Sequence, residues 1–89
     1  MKNRLKRATG MGPALVRAWR RKNGWSAFDL GEAIGYADEN GTNITRFERG
    51  ERPLPIARLV KLADVTGIQV GLLVWPEQAE EWSAWQRLS

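Results

Sequence analysis

The sequence predicts an all-α domain of five or six short helices. Two observations carry that expectation. Apolar residues recur at spacings of three and four along most of the chain, and the breaks between those stretches hold Gly, Pro and Ser where helices start and stop. With 89 residues there is one core to build and little to spare. A hydrophobic fraction of 43% with five Trp is far from the composition of a disordered chain.

Residues 1–11 hold too few apolar side chains to form an element and read as a basic arm. Gly12-Pro13 then starts a helix, with Pro13 at the first helical position, where a missing N–H costs nothing. Leu15, Val16 and Trp19 share one face of it, and Gly24 is a natural residue to end it. Ser26 is placed to cap a second helix, with Asp29 three residues on as the reciprocal partner. Its apolar stripe is Ala27, Leu30, Ala33 and Ile34, and Gly35 stops it. Gly31, inside that helix, costs about 1 kcal/mol relative to Ala, which suggests a close helix crossing there.

Residues 36–41, YADENG, read as a loop. A third helix is expected from Thr42 to Arg49, with Ile44 and Phe47 facing in and Gly50 closing it. It is polar round most of its circumference, which suits a helix lying on a charged ligand. The prolines at 53 and 55 force an extended connection. Ile56, Leu59, Val60 and Ala63 then mark a fourth helix ending at Gly67. Val70 to Trp75 is a short apolar run whose period fits a buried strand or a short helix equally. Pro76 opens a last helix with Glu77, Glu80 and Glu81 at its positive end and a ridge of Ala79, Trp82, Trp85 and Leu88.

The composition also excludes chemistry. There is no Cys and no His, so disulfides, thiolate catalysis, the usual general base and the commonest metal ligands are absent. An enzyme, a metal site or a bound cofactor is not expected. No apolar run approaches the roughly 20 residues of a membrane span, and no membrane role is expected. The net charge of +4 is unevenly spread: residues 1–22 carry eight Lys/Arg and no acid, and residues 23–45 carry four acids and no base. Residues 46–61 are again basic, with five Lys/Arg against two acids. Two basic segments brought together by the fold would make one positive face, the footprint of a nucleic-acid binder. Solvated surface charge is the plainer reading.

From residue 13 to 76 the chain resembles the phage-repressor, Cro-like (XRE-type) helix-turn-helix family. The resemblance rests on an ordered set: Arg20-x-x-x-Gly24-Trp25-Ser26, Leu30-Gly31-x-x-Ile34-Gly35, Ile44-Thr45-Arg46-Phe47-Glu48-Arg49-Gly50 and Pro53. Leu59-Val60-x-Leu62-Ala63-x-x-Thr66-Gly67-Ile68 and Leu72-Leu73 follow in the places of the family's fourth and fifth helices. It implies a five-helix repressor-like bundle over 12–76, with Val70 to Trp75 helical; residues 77–89, beyond the resemblance, read as a short C-terminal helix. Two departures stand out. The stretch from Leu30 to Ile44 is about three residues longer than in the family, with Asp38 and Glu39 in the expanded turn. Ala27 replaces a Gln that in the family often reaches a DNA phosphate.

Carried over by position, the resemblance puts Thr42, Asn43, Thr45 and Arg46 against base edges in the major groove. Arg46 is the strongest of these, because Arg forks onto guanine O6 and N7 for ~1–3 kcal/mol of discrimination. Thr42 and Asn43 have a plainer use in starting the helix. Arg49 and Arg52 fall where phosphates are held, and Lys2 and Arg4 would join them if the arm follows the DNA rather than serving as a solubilising tail. Arg20 and Glu48 are implied to form a structural ion pair, and Trp19, Phe28, Leu30, Ile34, Ile44, Phe47, Leu59 and Leu73 to form the core. Trp82, Trp85 and Leu88 either pack back on the domain or make a two-fold interface.

The function implied is a sequence-specific regulator of transcription on double-stranded DNA, bacterial or phage, a repressor more than an activator. It would act as a homodimer on an inverted-repeat operator in the cytoplasm, at the nucleoid or in a phage-infected cell. With no residues left for an effector domain, control through concentration, a partner or proteolysis is expected. The alternative is an adaptor or antitoxin-like module working through the Trp-rich tail, with RNA polymerase or a toxin as protein partner and DNA binding secondary.

Overall fold

The computed structural model describes residues 10–36 and 40–88. Residues 1–9 of the basic arm, including Lys2 and Arg4, and the acidic pair Asp38 and Glu39 lie outside the described residues. Among the described residues the helices are, in chain order, α1 (Gly12–Lys22), α2 (Ala27–Ala33), α3 (Thr42–Glu48), α4 (Ile56–Thr66), α5 (Val70–Leu73) and α6 (Ala79–Leu88), with a 3₁₀ turn (Pro76–Gln78) before α6. The fold is all-helical, and residues 70–73 are helix rather than strand.

Packing explains the order. α3 lies against both α1 and α2, α4 supports α2 and α5, and α5 returns to α1. The shared core is Val16, Leu30, Ile34, Ile44, Phe47, Leu54, Ile56, Leu59, Leu62, Leu73 and Trp75. Phe47 stacks on Trp75 with centroids 5.9 Å apart, joining the third helix to the segment after α5. Trp19 meets Trp25 edge-on at 5.3 Å and closes the α1–α2 corner. Gln78 is buried and ties two connections together: its Nε2 donates to the Leu54 carbonyl at 2.7 Å, and its Oε1 accepts from the Trp75 amide at 3.0 Å.

Several local expectations need correcting. Phe28 is 40% exposed, not core. Leu30 lies two residues on, about 200° round the helix, so a face that buries Leu30 turns Phe28 outward. The inward stripe of α2 runs through Gly31 rather than Ala33, which is exposed. Nor does Gly31 mark the tight crossing: a β-carbon there would meet Ile44 Cγ1 at 3.7 Å and Tyr36 Cβ at 3.8 Å, ordinary contacts. The tight point is Gly41, which is buried and has φ +81°. A β-carbon there would fall 2.7 Å from the Phe28 amide nitrogen and 2.8 Å from the Ala27 carbonyl carbon. Gly41 is also the residue that caps α3, so Thr42 is the first helical residue rather than the cap. Pro76 opens the 3₁₀ turn, and α6 itself starts at Ala79.

Candidate nucleic-acid interface

The second and third helices are fixed before they can present anything. Ser26 caps α2: its Oγ accepts from the Asp29 amide at 2.9 Å, and Asp29 Oδ2 accepts from the Ser26 amide at 3.0 Å. The amide and hydroxyl of Ser26 hold the Asp29 carboxyl below its ordinary range. At the far end of α2, the Arg58 guanidinium of α4 sits 4.8 Å from the Tyr36 ring centroid, over its face. The chain is therefore held on both sides of α2 before it turns into α3.

The third helix is pinned from within. Ile44 and Phe47 are fully buried. Glu48 is held by Arg20 through two parallel bonds of 2.8 Å, Nε to Oε2 and NH2 to Oε1. NH1 of the same guanidinium reaches the Trp25 carbonyl at 3.2 Å, so one side chain links α1, the α1–α2 turn and α3. The Glu48 side chain is only 5% exposed. Its hydrogen bonding raises the Arg20 pKa above the ordinary value. Such a fork fixes orientation as well as distance.

What α3 turns outward follows from what it buries. With 44, 47 and 48 committed inward, Thr42 and Arg46 are exposed, and Asn43 and Thr45 are partly buried at the flanks. Arg49, just past the end of α3, is exposed and lies 3.9 Å from Glu51, a loose solvent-facing pair. Arg52 is exposed on the following connection. Thr42, Arg46 and Arg49 lie at i, i+4 and i+7, so they run along one side of the helix. Arg46 has no ion-pair partner among the described residues.

The structure adds basic residues that the sequence reading did not single out. Arg17 and Arg21 of α1 are exposed and line a groove of about 600 Å³ together with Arg49. Their i, i+4 spacing inside the acid-free first segment was the available signal. Gln78 and the Arg58–Tyr36 contact gave no signal, because each depends on a partner far along the chain. In α6, Trp82 is partly buried against the core, whereas Trp85 and Leu88 are 38% and 89% exposed. Among the described residues no cluster of acidic or other ligating side chains could hold a metal ion, and no helix is long and apolar enough to cross a membrane.

Two short helices crossing at a glycine, the second braced by a part-buried ion pair and turning a polar, basic side outward, define a helix-turn-helix DNA-binding module. Residues 16–73 match the helix-turn-helix family, and the chain belongs to it as a Cro-like, XRE-type DNA-binding protein. That family is one of regulatory DNA-binding domains rather than enzymes. No curated protein and no solved structure matches the chain.

Proposed function

We propose that this DNA-binding transcription regulator is a sequence-specific repressor that inserts α3 into the major groove. The observation that carries the reading is the division of α3 between a pinned inner side, Ile44, Phe47 and Glu48, and an outer side holding Thr42 and Arg46. A helix fixed that firmly presents its outer side chains at set angles, and base readout requires that. In this reading Arg46 forks onto a guanine, and Thr42, Asn43 and Thr45 contact neighbouring base edges. Arg49 and Arg52 take phosphates. Lys2 and Arg4 would add phosphate contacts through the arm.

The protein acts as a homodimer on an inverted repeat with half-sites about one helical turn, roughly 34 Å, apart. The exposed Trp85 and Leu88 on α6 favour the C-terminal helix as the two-fold contact. The same exposed ridge favours the second reading, an adaptor or antitoxin-like module whose tail holds a protein partner and whose DNA binding is secondary.

Selection from a random duplex pool separates the two. Enrichment of an inverted repeat, lost in Arg46→Ala while binding to random duplex persists, is the expected result. Recovery of no preferred sequence, with binding that is weak and abolished by moderate salt, would overturn sequence-specific regulation in favour of the adaptor.

A further inference from the structure

We infer that Arg17 and Arg21 of α1, together with Arg49, form a clamp for the DNA backbone beside the base-reading helix. The inference rests on the DNA-binding reading and extends it to a helix that reads no bases.

The groove that these three arginines line is also lined by Ala14, Ala18 and Gly50. Small side chains there leave room for a phosphodiester to approach while the long guanidinium arms close round it. Arginine suits the task because its planar fork matches two phosphate oxygens at once.

The charge balance favours an anion. Glu48 also lines the groove, but both its oxygens are engaged by Arg20. Arg17 and Arg21 have no ion-pair partner among the described residues, and Arg49 has only the exposed Glu51 at 3.9 Å. The C-terminal end of α3 contributes about half a negative charge. Three guanidinium groups outweigh it.

Position then selects DNA backbone over other anions. The outward line of α3 runs from Thr42 to Arg49, seven residues or about 10 Å of helix rise. The major groove is about 12 Å wide. With Thr42 and Arg46 over base edges, Arg49 arrives at the groove rim, where phosphates begin. Arg17 and Arg21 line the same groove as Arg49 from the neighbouring helix, which packs against α3. An acidic protein segment would match the charge, but nothing would then place it in line with the base-reading side chains.

The test compares Arg17→Gln/Arg21→Gln with a control that removes two cations elsewhere, Lys61→Gln/Arg87→Gln, both on random duplex across a salt series. Each neutralised phosphate adds about 0.9 to the slope of log K against log salt, or about eightfold in affinity at 0.1 M salt. The groove variant is expected to bind at least eightfold more weakly at 0.1 M, with a slope lower by one to two. The control should change far less, and base preference on selected duplex should persist in the groove variant. Arg17→Lys/Arg21→Lys, which keeps the charge, should recover most of the slope. Equal loss in the groove variant and the control would overturn the clamp, because bulk charge then suffices. An unchanged groove variant would overturn it too and assign the groove to another partner, while leaving DNA binding by α3 intact. Failure of the unaltered protein to bind any duplex would overturn both readings.

Discussion

The α2–α3 unit and the C-terminal helix α6 carry similar amounts of apolar side chain and use it in opposite ways. In α2–α3, Leu30, Ile34, Ile44 and Phe47 are fully buried, the start of α2 is capped by Ser26–Asp29, and the end of α3 is held by Arg20–Glu48. In α6 no residue is buried, although the helix carries Trp82, Trp85 and Leu88 on one ridge. The first unit is determined by its own domain. The second is held mainly through the 3₁₀ turn before it and through Trp82. Changes in α2–α3 should therefore register as folding stability, and changes at the tip of α6 should leave it nearly untouched.

The contrast breaks most sharply at Gly41. Its positive φ and the backbone of α2 less than 3 Å from any β-carbon act together. Gly41→Ala should cost at least about 3 kcal/mol, in a domain whose whole stability is expected to be about 5–10 kcal/mol. Arg20→Ala should cost about 3 kcal/mol, because it leaves the Glu48 carboxylate buried without its partner. Denaturant unfolding measures both. A loss under 1 kcal/mol in Arg20→Ala would mean that α3 is positioned by apolar packing alone.

Much of this was legible in the sequence, and the reasons differ by residue. The caps were readable because Ser26 and Asp29 interact over three residues. The core of α3 was readable because Ile44 and Phe47 repeat at helical spacing. Phe28 was misplaced because a large apolar residue one position off the stripe looks buried until the helix is rotated against its neighbours. Gly31 and Gly41 were exchanged for a related reason. A glycine inside a helix calls for an explanation and a glycine in a loop does not, yet of these two it is Gly41 that meets another backbone. Gln78 could not be read at all, since its two partners come from separate connections.

A middle range of effects sharpens the comparison within α2. Ser26→Ala should destabilise by about 1 kcal/mol through loss of the cap. The Asp29 carboxyl is held below its ordinary value, so its contribution is complete above that value and is lost as pH falls through the depressed one. Melting temperature followed from pH 6 to pH 2 should fall more for the native protein than for Asp29→Asn at the acid end. Equal slopes would show that Asp29 does not hold the helix. Gly31→Ala should have the opposite sign. Its β-carbon finds ordinary contacts at 3.7 and 3.8 Å, and the change should stabilise α2 by about 0.5–1 kcal/mol. A loss there instead would put the crowded point of the crossing at Gly31 after all.

The smallest effect on folding belongs to Leu88, and it is informative because it is small. Leu88 is 89% exposed in the last turn of α6. Its truncation to Ala removes almost no buried surface, so stability of the monomer should change by less than about 0.5 kcal/mol. A solvent-facing Leu alone needs no explanation. It becomes notable because Trp85, three residues earlier on the same ridge, is also 38% exposed. If that ridge is a two-fold contact, Leu88→Ala should raise the dimer dissociation constant several-fold in sedimentation equilibrium while the melt of the dilute protein stays in place. Trp85→Ala should raise it further, since it removes more apolar area from the same contact. Sedimentation profiles identical to the native protein in both variants would remove α6 from the interface and leave its ridge for a different partner.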